Sequence, residues 1–171
     1  DVMTGRGIDQ ILPQSVNPAI YEPYVKDAGT YVDLAERKNG NIPYPVDYSY
    51  IWGDAMKVWN NFPEAVKIIN LETSITKHDH PWPGKGINYR MHTENIKVLT
   101  EAGIDYCALA NNHILDWGRK GLVESLNSLE QAGISYSGAG INLTEARKPA
   151  ILKNGNTRLI IYSYGSKSSG I

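Results

Sequence analysis

Polar side chains suited to binding a metal ion or an anion lie at three places in this sequence. Two of these places directly follow short apolar segments, and the third opens the chain as the end of a strand would. Carboxylate and amide oxygens are ligands for hard divalent cations, whereas an imidazole and a guanidinium can contact an anionic substrate. The set predicts a hydrolase-like site, although each member alone also suits a turn, a helix cap or a surface ion pair. Its members are Asp1, Arg6, Glu72, Asn111, Asn112 and His113.

Four apolar segments are typical of strands, and amphipathic segments lie between them. The predicted strands are residues 66–70, 104–110, 134–136 and 159–164, and the predicted helices are 54–62, 94–102 and 122–132. Strands that alternate with helices predict an α/β domain with a mainly parallel sheet. Active sites of such sheets lie beyond the carboxyl ends of the strands, which is where the polar set falls.

Local signals refine the ends of these elements. Gly103 and Gly133 each follow a predicted helix and precede a strand, which predicts left-handed C-cap glycines. Asp54, Thr93 and Thr144 are predicted to cap helices. Residues 153–157 (Lys-Asn-Gly-Asn-Thr) predict a hairpin turn, which adds an antiparallel pair.

Residues 13–50 have a poor periodic pattern with many Gly, Pro, Asn and Tyr residues. We interpret them as an insertion or lid over the site, with an ordinary surface loop as the equal alternative. The length of 171 residues predicts a single domain over 1–171.

Composition excludes several classes of function. The net charge is −1 with basic and acidic residues interspersed, which argues against a nucleic-acid partner. Cys107 is the only cysteine, so neither an intrachain disulfide nor a thiolate metal cluster can form. No segment reaches the roughly 20 apolar residues of a membrane span.

Residues 83–86 (Pro-Gly-Lys-Gly) form a glycine-rich turn that lacks the spacing of a Walker A loop. Its backbone amides could approach an anion that Lys85 and Arg90 grip; the alternative is a turn with two exposed cations. His78 and His80 flank an aspartate in a Pro-rich loop, and we interpret them as solvated surface.

Five motifs resemble the bacterial capsule synthesis CapA family, which is associated with poly-γ-glutamate biosynthesis and has a domain similar to calcineurin-like metallophosphatases. The resemblance implies a layered α/β domain with a mainly parallel central sheet flanked by helices, of which this chain carries the N-terminal portion. The motifs are DVMTGRG (1–7), NLET (70–73), PGKGINYR (83–90), ANNHILDWG (110–118) and GAGINLTEAR (138–147).

The metallophosphatase likeness implies roles for individual residues. Asp1, Glu72 and Asn112 correspond to metal ligands for Mn, Mg, Zn or Fe, and His113 to the residue that contacts the phosphate and protonates the leaving group. Arg6 would neutralise developing charge, and Asn111, Lys85 and Arg90 would bind substrate. The sequence departs from the pattern at Met3, where the superfamily has a histidine, and further histidines are expected downstream.

The resemblance therefore leads to two classes of function. One is a metal-dependent enzyme of poly-γ-glutamate biosynthesis acting on a phosphoester, an acyl phosphate or a glutamyl intermediate, with γ-glutamyl amide hydrolysis or ligation as a variant. The other is a non-catalytic polymer-binding or scaffold component of a synthesis and export complex. Expected partners are an anionic small molecule or glutamyl polymer and other capsule synthesis proteins. An upstream anchor would place the protein at the cell envelope; otherwise it would be cytoplasmic.

Overall fold

The computed structural model describes residues 1–166, which form a mixed α/β structure with parallel strands. The strands are β1 (Ile68–Asn70), β2 (Ser74–Ile75), β3 (Arg90–Met91), β4 (Tyr106–Ala108), β5 (Ser135–Ser137), β6 (Ala150–Asn154) and β7 (Thr157–Ile161). The α-helices are α1 (Gly7–Ile11), α2 (Gly29–Asn39), α3 (Ala55–Trp59), α4 (Lys97–Glu101), α5 (Gly118–Gln131) and α6 (Leu143–Ala146). Short 3-10 helices cover Tyr50–Trp52 and Thr93–Ile96.

The largest sheet contains β1, β4 and β5 in that order, and all its pairings are parallel. Cys107 on the central strand lies opposite Ile69 on one side and Tyr136 on the other. Val2 extends this arrangement through a single parallel bridge to Leu71. The three predicted strands that form this sheet are confirmed, although each regular pairing is shorter than or shifted from the predicted segment.

Two smaller strand pairs complete the sheets. The parallel pair β2–β3 joins two segments that lack a strand-length apolar run, and it was not predicted. The hairpin β6–β7 is antiparallel as predicted, and its turn contains Gly155 with φ of 56°. Strand β7 ends at Ile161, short of the predicted end at residue 164.

Helix α5 supplies one wall of the core. Leu122, Leu126 and Leu129 face inward from successive turns and are buried with residues such as Val98 and Leu109. The helix begins four residues before the predicted start. Gly133 after it and Gly103 after α4 have φ of 70° and 64°, which confirms the predicted left-handed C-caps.

Residues 13–50 contain a helix that the sequence pattern does not show. Helix α2 buries only Val32 among its own residues, while Ala28 before it and Val46 after it are also buried. A helix with so narrow an apolar stripe has a weak 3.6-residue period, which explains why it was missed. Whether the segment is a lid or an insertion stays a prediction.

The predicted helix caps are wrong at two positions and incomplete at a third. The cap before residue 94 is His92, whose Nδ1 accepts the N–H of Glu94 (3.2 Å), in place of Thr93. Asn142, not Thr144, caps α6 through its side-chain oxygen (2.9 Å). Asp54 occupies the N-cap of α3 but makes no capping hydrogen bond.

Asp9 in α1 fixes this helix to a distant part of the chain. Its fully buried carboxylate accepts the backbone N–H of Val16 (2.8 Å) and of His92 (2.7 Å), and the side-chain amide of Asn95 (2.6 Å). Burial raises the pKa of this carboxyl, and the hydrogen bonds oppose the rise. The buried charge is acceptable because each oxygen has a donor.

No helix among residues 1–166 combines the length and the apolar character needed to span a membrane.

Candidate functional site

Polar residues after β1 and β4 are joined to the first residue of the chain by amide hydrogen bonds. The bridge between Val2 and Leu71 places Asp1 beside Asn70, whose Nδ2 donates to Asp1 Oδ1 (2.6 Å). Asn70 Oδ1 accepts from Asn111 Nδ2 (3.0 Å), and Asn111 Oδ1 accepts the backbone N–H of His113 (3.0 Å). The structure thus links Asp1, Asn111 and His113 through Asn70.

The His113 imidazole is the centre of this group and is only 5% exposed. Its Nδ1 lies 2.7 Å from Asp116 Oδ2, whereas its Nε2 lies 2.9 Å from Asn112 Nδ2 and 3.6 Å from Glu72 Oε1. A carboxylate only accepts hydrogen bonds, so these partners assign the neutral-ring proton to Nδ1. The Nε2 lone pair then faces Glu72 and Asn112.

Asp116 orients the histidine, and the sequence reasoning gave it no role. Its side chain is fully buried; Oδ2 also accepts the backbone N–H of Tyr89 (2.6 Å), and Oδ1 forms an ion pair with Lys85 Nζ. Lys85 donates in addition to the backbone carbonyl of Asn112. The signal for Asp116 was its place three residues after His113 in the 110–118 motif.

Arg6 lies next to this group through an aromatic ring. The Tyr89 ring stacks on His113 at 4.0 Å between centroids, and the Arg6 guanidinium carbon lies 4.5 Å from the Tyr89 centroid.

The backbone around Arg6 is unusual. Arg6 has φ of 52°, which is rare for a residue with a side chain. A Cβ on the preceding Gly5 would lie 2.6 Å from the Arg90 carbonyl oxygen, so this close approach of the chain to β3 requires glycine.

Within residues 1–166, the Arg90 guanidinium contacts His78, Asp79 and Asn17 rather than Glu72 or His113. Its Nη1 donates to the carbonyl of His78 and to Asp79 Oδ1, both at 2.6 Å, and its guanidinium lies 3.9 Å from the Trp117 ring centroid. The side chain is 5% exposed. A substrate-binding role for Arg90 therefore stays a prediction.

The donors near His113 suit a metal ion only in part. Glu72 supplies a carboxylate, His113 an imidazole nitrogen and Asn112 an amide, and this mixture can bind a divalent ion. Among residues 1–166, however, no group of three or more His, Cys, Asp and Glu side chains could hold one. Met3, at the position where a histidine was expected, lines an apolar cavity of about 260 Å³ with Ile8 and Val32.

The profile of the bacterial capsule synthesis protein family PGA_cap matches residues 1–170. The chain belongs to this family. The resemblance seen in the five motifs is thereby confirmed.

One similar protein is the "Probable polyglutamine synthesis accessory protein" of Mycobacterium tuberculosis. It is 47% identical in a match that covers all of this chain and 45% of its own length. "Capsule biosynthesis protein CapA" of Bacillus anthracis is 26% identical over 86% of this chain and 28% of its own length. "PGA biosynthesis protein CapA" of Bacillus subtilis is also 26% identical, over 86% of this chain and 30% of its own length. The chain thus spans less than half the length of these relatives.

Proposed function

We propose that this chain contributes a metal-assisted site that acts on an anionic substrate in capsule or polyglutamate synthesis. The observation that carries the proposal is the orientation of His113: Asp116 holds Nδ1 at 2.7 Å, so Nε2 faces Glu72 and Asn112. A carboxylate behind a histidine is the usual outer partner of a metal-binding or proton-transferring imidazole. The names of the relatives support the biological setting.

Each residue has a distinct task in this proposal. Glu72 and Asn112, with Asp1 at the adjoining strand end, would hold the ion. In the doubly protonated form of His113, Nδ1 donates to Asp116 and Nε2 donates its proton to the leaving group or a hydrogen bond to the transition state. A divalent ion (Mn, Mg, Zn or Fe), when bound, polarises the anionic group and lowers the pKa of coordinated water. Lys85 holds Asp116 in place through an ion pair, and Asn111 fixes the backbone of His113.

The substrate is an anionic small molecule or a glutamyl polymer, and other capsule synthesis proteins are the partners. Hydrolysis of a phosphoester and cleavage of a γ-glutamyl amide use the same activated water. Assays on p-nitrophenyl phosphate and on γ-linked polyglutamate with the complete protein separate these two reactions.

A second function, binding of the polymer without catalysis, is favoured by two observations. Met3 lines an apolar cavity, and its thioether is a poor ligand for a hard cation. The described residues 1–166 also lack a cluster of three acidic, histidine or cysteine ligands. In this function the same polar residues bind glutamyl carboxylates and position partner proteins.

Metal content distinguishes the two functions. We expect the complete protein, purified with Mn²⁺ and desalted, to retain about one or two ions per chain. Glu72→Ala removes a charged ligand, so we expect a loss of at least about tenfold in bound metal. Inductively coupled plasma mass spectrometry gives the measurement.

Glu101→Ala is the matched control, because Glu101 is exposed at the end of α4 and lies outside the group around His113. It should retain metal as the wild type does. A wild-type protein without bound metal would refute the metal-assisted site and leave polymer binding as the function.

A further inference from the structure

The Arg6 guanidinium is occupied by a carboxylate of the protein itself. Arg6 Nη2 forms an ion pair with Glu22 Oε1, and the Tyr31 hydroxyl donates to Glu22 Oε2 (2.7 Å). The Arg6 and Glu22 side chains are 16% and 13% exposed, so the pair is largely removed from solvent. A guanidinium and a phenol therefore already form a cradle for one carboxylate.

The contact is incomplete as a hydrogen-bonded pair. Arg6 Nε is buried without a hydrogen-bond partner within residues 1–166, and Glu22 Oε1 meets the guanidinium through the Nη2 ion pair alone. A guanidinium binds a carboxylate best through two parallel N–H donors, and Glu22 does not complete that fork. A carboxylate that enters from the other edge of the group would gain the unused Nε donor.

The surroundings hold Arg6 in place while leaving Glu22 on a loop. The Arg6 guanidinium carbon lies 5.2 Å from the centroid of the Tyr31 ring and 4.5 Å from that of the Tyr89 ring. The Arg6 backbone has a positive φ, which the surrounding structure must hold in place. Glu22, in contrast, lies in an irregular segment closed by the isolated bridge between Ala19 and Asp27. Glu22 can therefore move without the loss of a helix or a paired strand.

The cradle lies close to the proposed reaction centre, since the Tyr89 ring contacts both the Arg6 guanidinium and the His113 imidazole. A substrate bound near His113 could thus place a second anionic group at Arg6. The resident group is itself a glutamate carboxylate, so a glutamyl unit meets the same donors.

We propose that Arg6 and the Tyr31 hydroxyl form a subsite for a carboxylate of a glutamyl substrate, and that Glu22 is a resident group which this carboxylate displaces. The inference rests on the proposed function insofar as the substrate is a glutamyl compound. To the proposed function it adds Arg6 and Tyr31 as residues that determine specificity, and Glu22 as a group of the protein that competes with the substrate for them. Binding at the subsite is independent of the metal ion.

The test measures the affinity of the complete protein for γ-linked tetraglutamate by isothermal titration calorimetry. Glu22→Gln keeps the size of the side chain and removes the competing charge. The affinity should rise about tenfold if the open subsite is populated about a tenth of the time in the wild type. Asp33→Asn is the matched control, because it makes the same charge change at an exposed position of α2 and should leave affinity unchanged.

A double variant shows where the gain arises. Arg6→Lys in the Glu22→Gln background keeps the positive charge but lacks the planar fork of donors, so the gain should disappear. Thermal melts of each variant establish that it is folded. A folded Glu22→Gln protein with unchanged or weaker affinity would overturn the inference, as would a gain that survives Arg6→Lys.

Two further arms separate this inference from the proposed function. Titration with inorganic phosphate should show a smaller gain than the peptide; a gain for phosphate alone would overturn the assignment to a carboxylate. Repeating the peptide titrations with EDTA should preserve the ratio of the two affinities. If the metal site does not exist, the metal analysis will show no bound ion, and the ratio of the Glu22→Gln affinity to the wild-type affinity will still be about ten. If metal is bound but the two affinities are equal, the carboxylate subsite alone is refuted.

Discussion

At the scale of single residues, Asp116 decides what the His113 imidazole can do. It fixes the ring through Nδ1 (2.7 Å) and is itself fixed by the Tyr89 backbone N–H (2.6 Å) and by the charge of Lys85. Because the carboxylate is fully buried, water does not compete for these contacts. The orientation of the His113 ring therefore depends on Asp116, Tyr89 and Lys85 together.

We expect Asp116→Asn to disturb the tautomer of His113 and leave the fold largely intact. An asparagine can turn its oxygen toward Nδ1 and the Tyr89 N–H, but its amide group then faces the Lys85 ammonium with two donors in opposition. The His113 ring in the wild type should be protonated at Nδ1, whereas the variant should show a mixture of tautomers. Nitrogen-15 NMR of the imidazole rings measures this.

The same variant should also bind Mn²⁺ about tenfold more weakly, because the His113 ring holds the side-chain amide of the proposed ligand Asn112 (2.9 Å). Asp33→Asn again provides a control with an equal change of charge at the surface. An unchanged Nδ1-protonated ring in Asp116→Asn would contradict the orienting role.

Cys107 shows how strongly the central strand is shielded. Its thiol is fully buried, and burial raises its pKa from 9.0 to about 12. At pH 8 a disulfide reagent should label Cys107 completely in the urea-unfolded protein. Over the same time we expect no detectable reaction with the native protein. Since the sequence has one cysteine, the absorbance of the released thiolate reports this site alone.

The raised pKa has a defined sign for stability. A thiol whose folded pKa exceeds the unfolded value stabilises the fold fully below pH 9.0, and the contribution is lost as the pH rises toward 12. Native labelling as fast as that in urea would show that the strand opens far more readily than its burial indicates.

At the scale of elements, one buried hydroxyl forms a hydrogen bond between α5 and β2. Ser125 Oγ accepts the backbone N–H of Ile75 (2.8 Å) and donates to the Gly121 carbonyl (2.8 Å). Within residues 1–166 the two-residue strand β2 pairs with β3 alone, so its other edge has no neighbouring strand. The helix supplies the acceptor for the Ile75 N–H that a further strand would otherwise supply.

Ser125→Ala leaves the Ile75 N–H buried without an acceptor and should lower the free energy of unfolding by about 1–3 kcal/mol. Ser128→Ala on the next turn is the matched control, because within residues 1–166 Ser128 Oγ donates to the Glu124 carbonyl of its own helix (2.8 Å) and not to another element. Its effect should stay within about 0.5 kcal/mol. Urea denaturation followed by circular dichroism compares them; equal losses would contradict the role of Ser125.

At the scale of the whole molecule, the predictable parts are those encoded by neighbours in sequence. Apolar runs predicted the strands of the parallel sheet, and Gly103 and Gly133 predicted the ends of two helices. Helix α2 escaped prediction because one buried residue, Val32, leaves almost no periodic signal. Its position is set by packing against α1, which sequence period does not report.

The polar site likewise has a part that the sequence predicts and a part that depends on the tertiary structure. Residues at strand ends could be named as candidates because parallel strands deliver them to one edge, and the structure links Asp1, Asn111 and His113 through Asn70. The Glu22 contact to Arg6 could not be predicted, because it arises where a distant loop folds back on the motif of residues 1–7. Long-range partners of charged groups require the tertiary structure.

The clamp made by Asp9 sets an order on the folding of the chain. Two of its three donors, His92 and Asn95, lie 83 and 86 residues away in sequence. Closing so long a loop is slow, and until it closes the charge of Asp9 is better satisfied by water than by the interior. During synthesis helix α1 therefore waits for residues more than 80 positions later to leave the ribosome. The segment that carries Arg6 is thus made well before the residues that fix it in place.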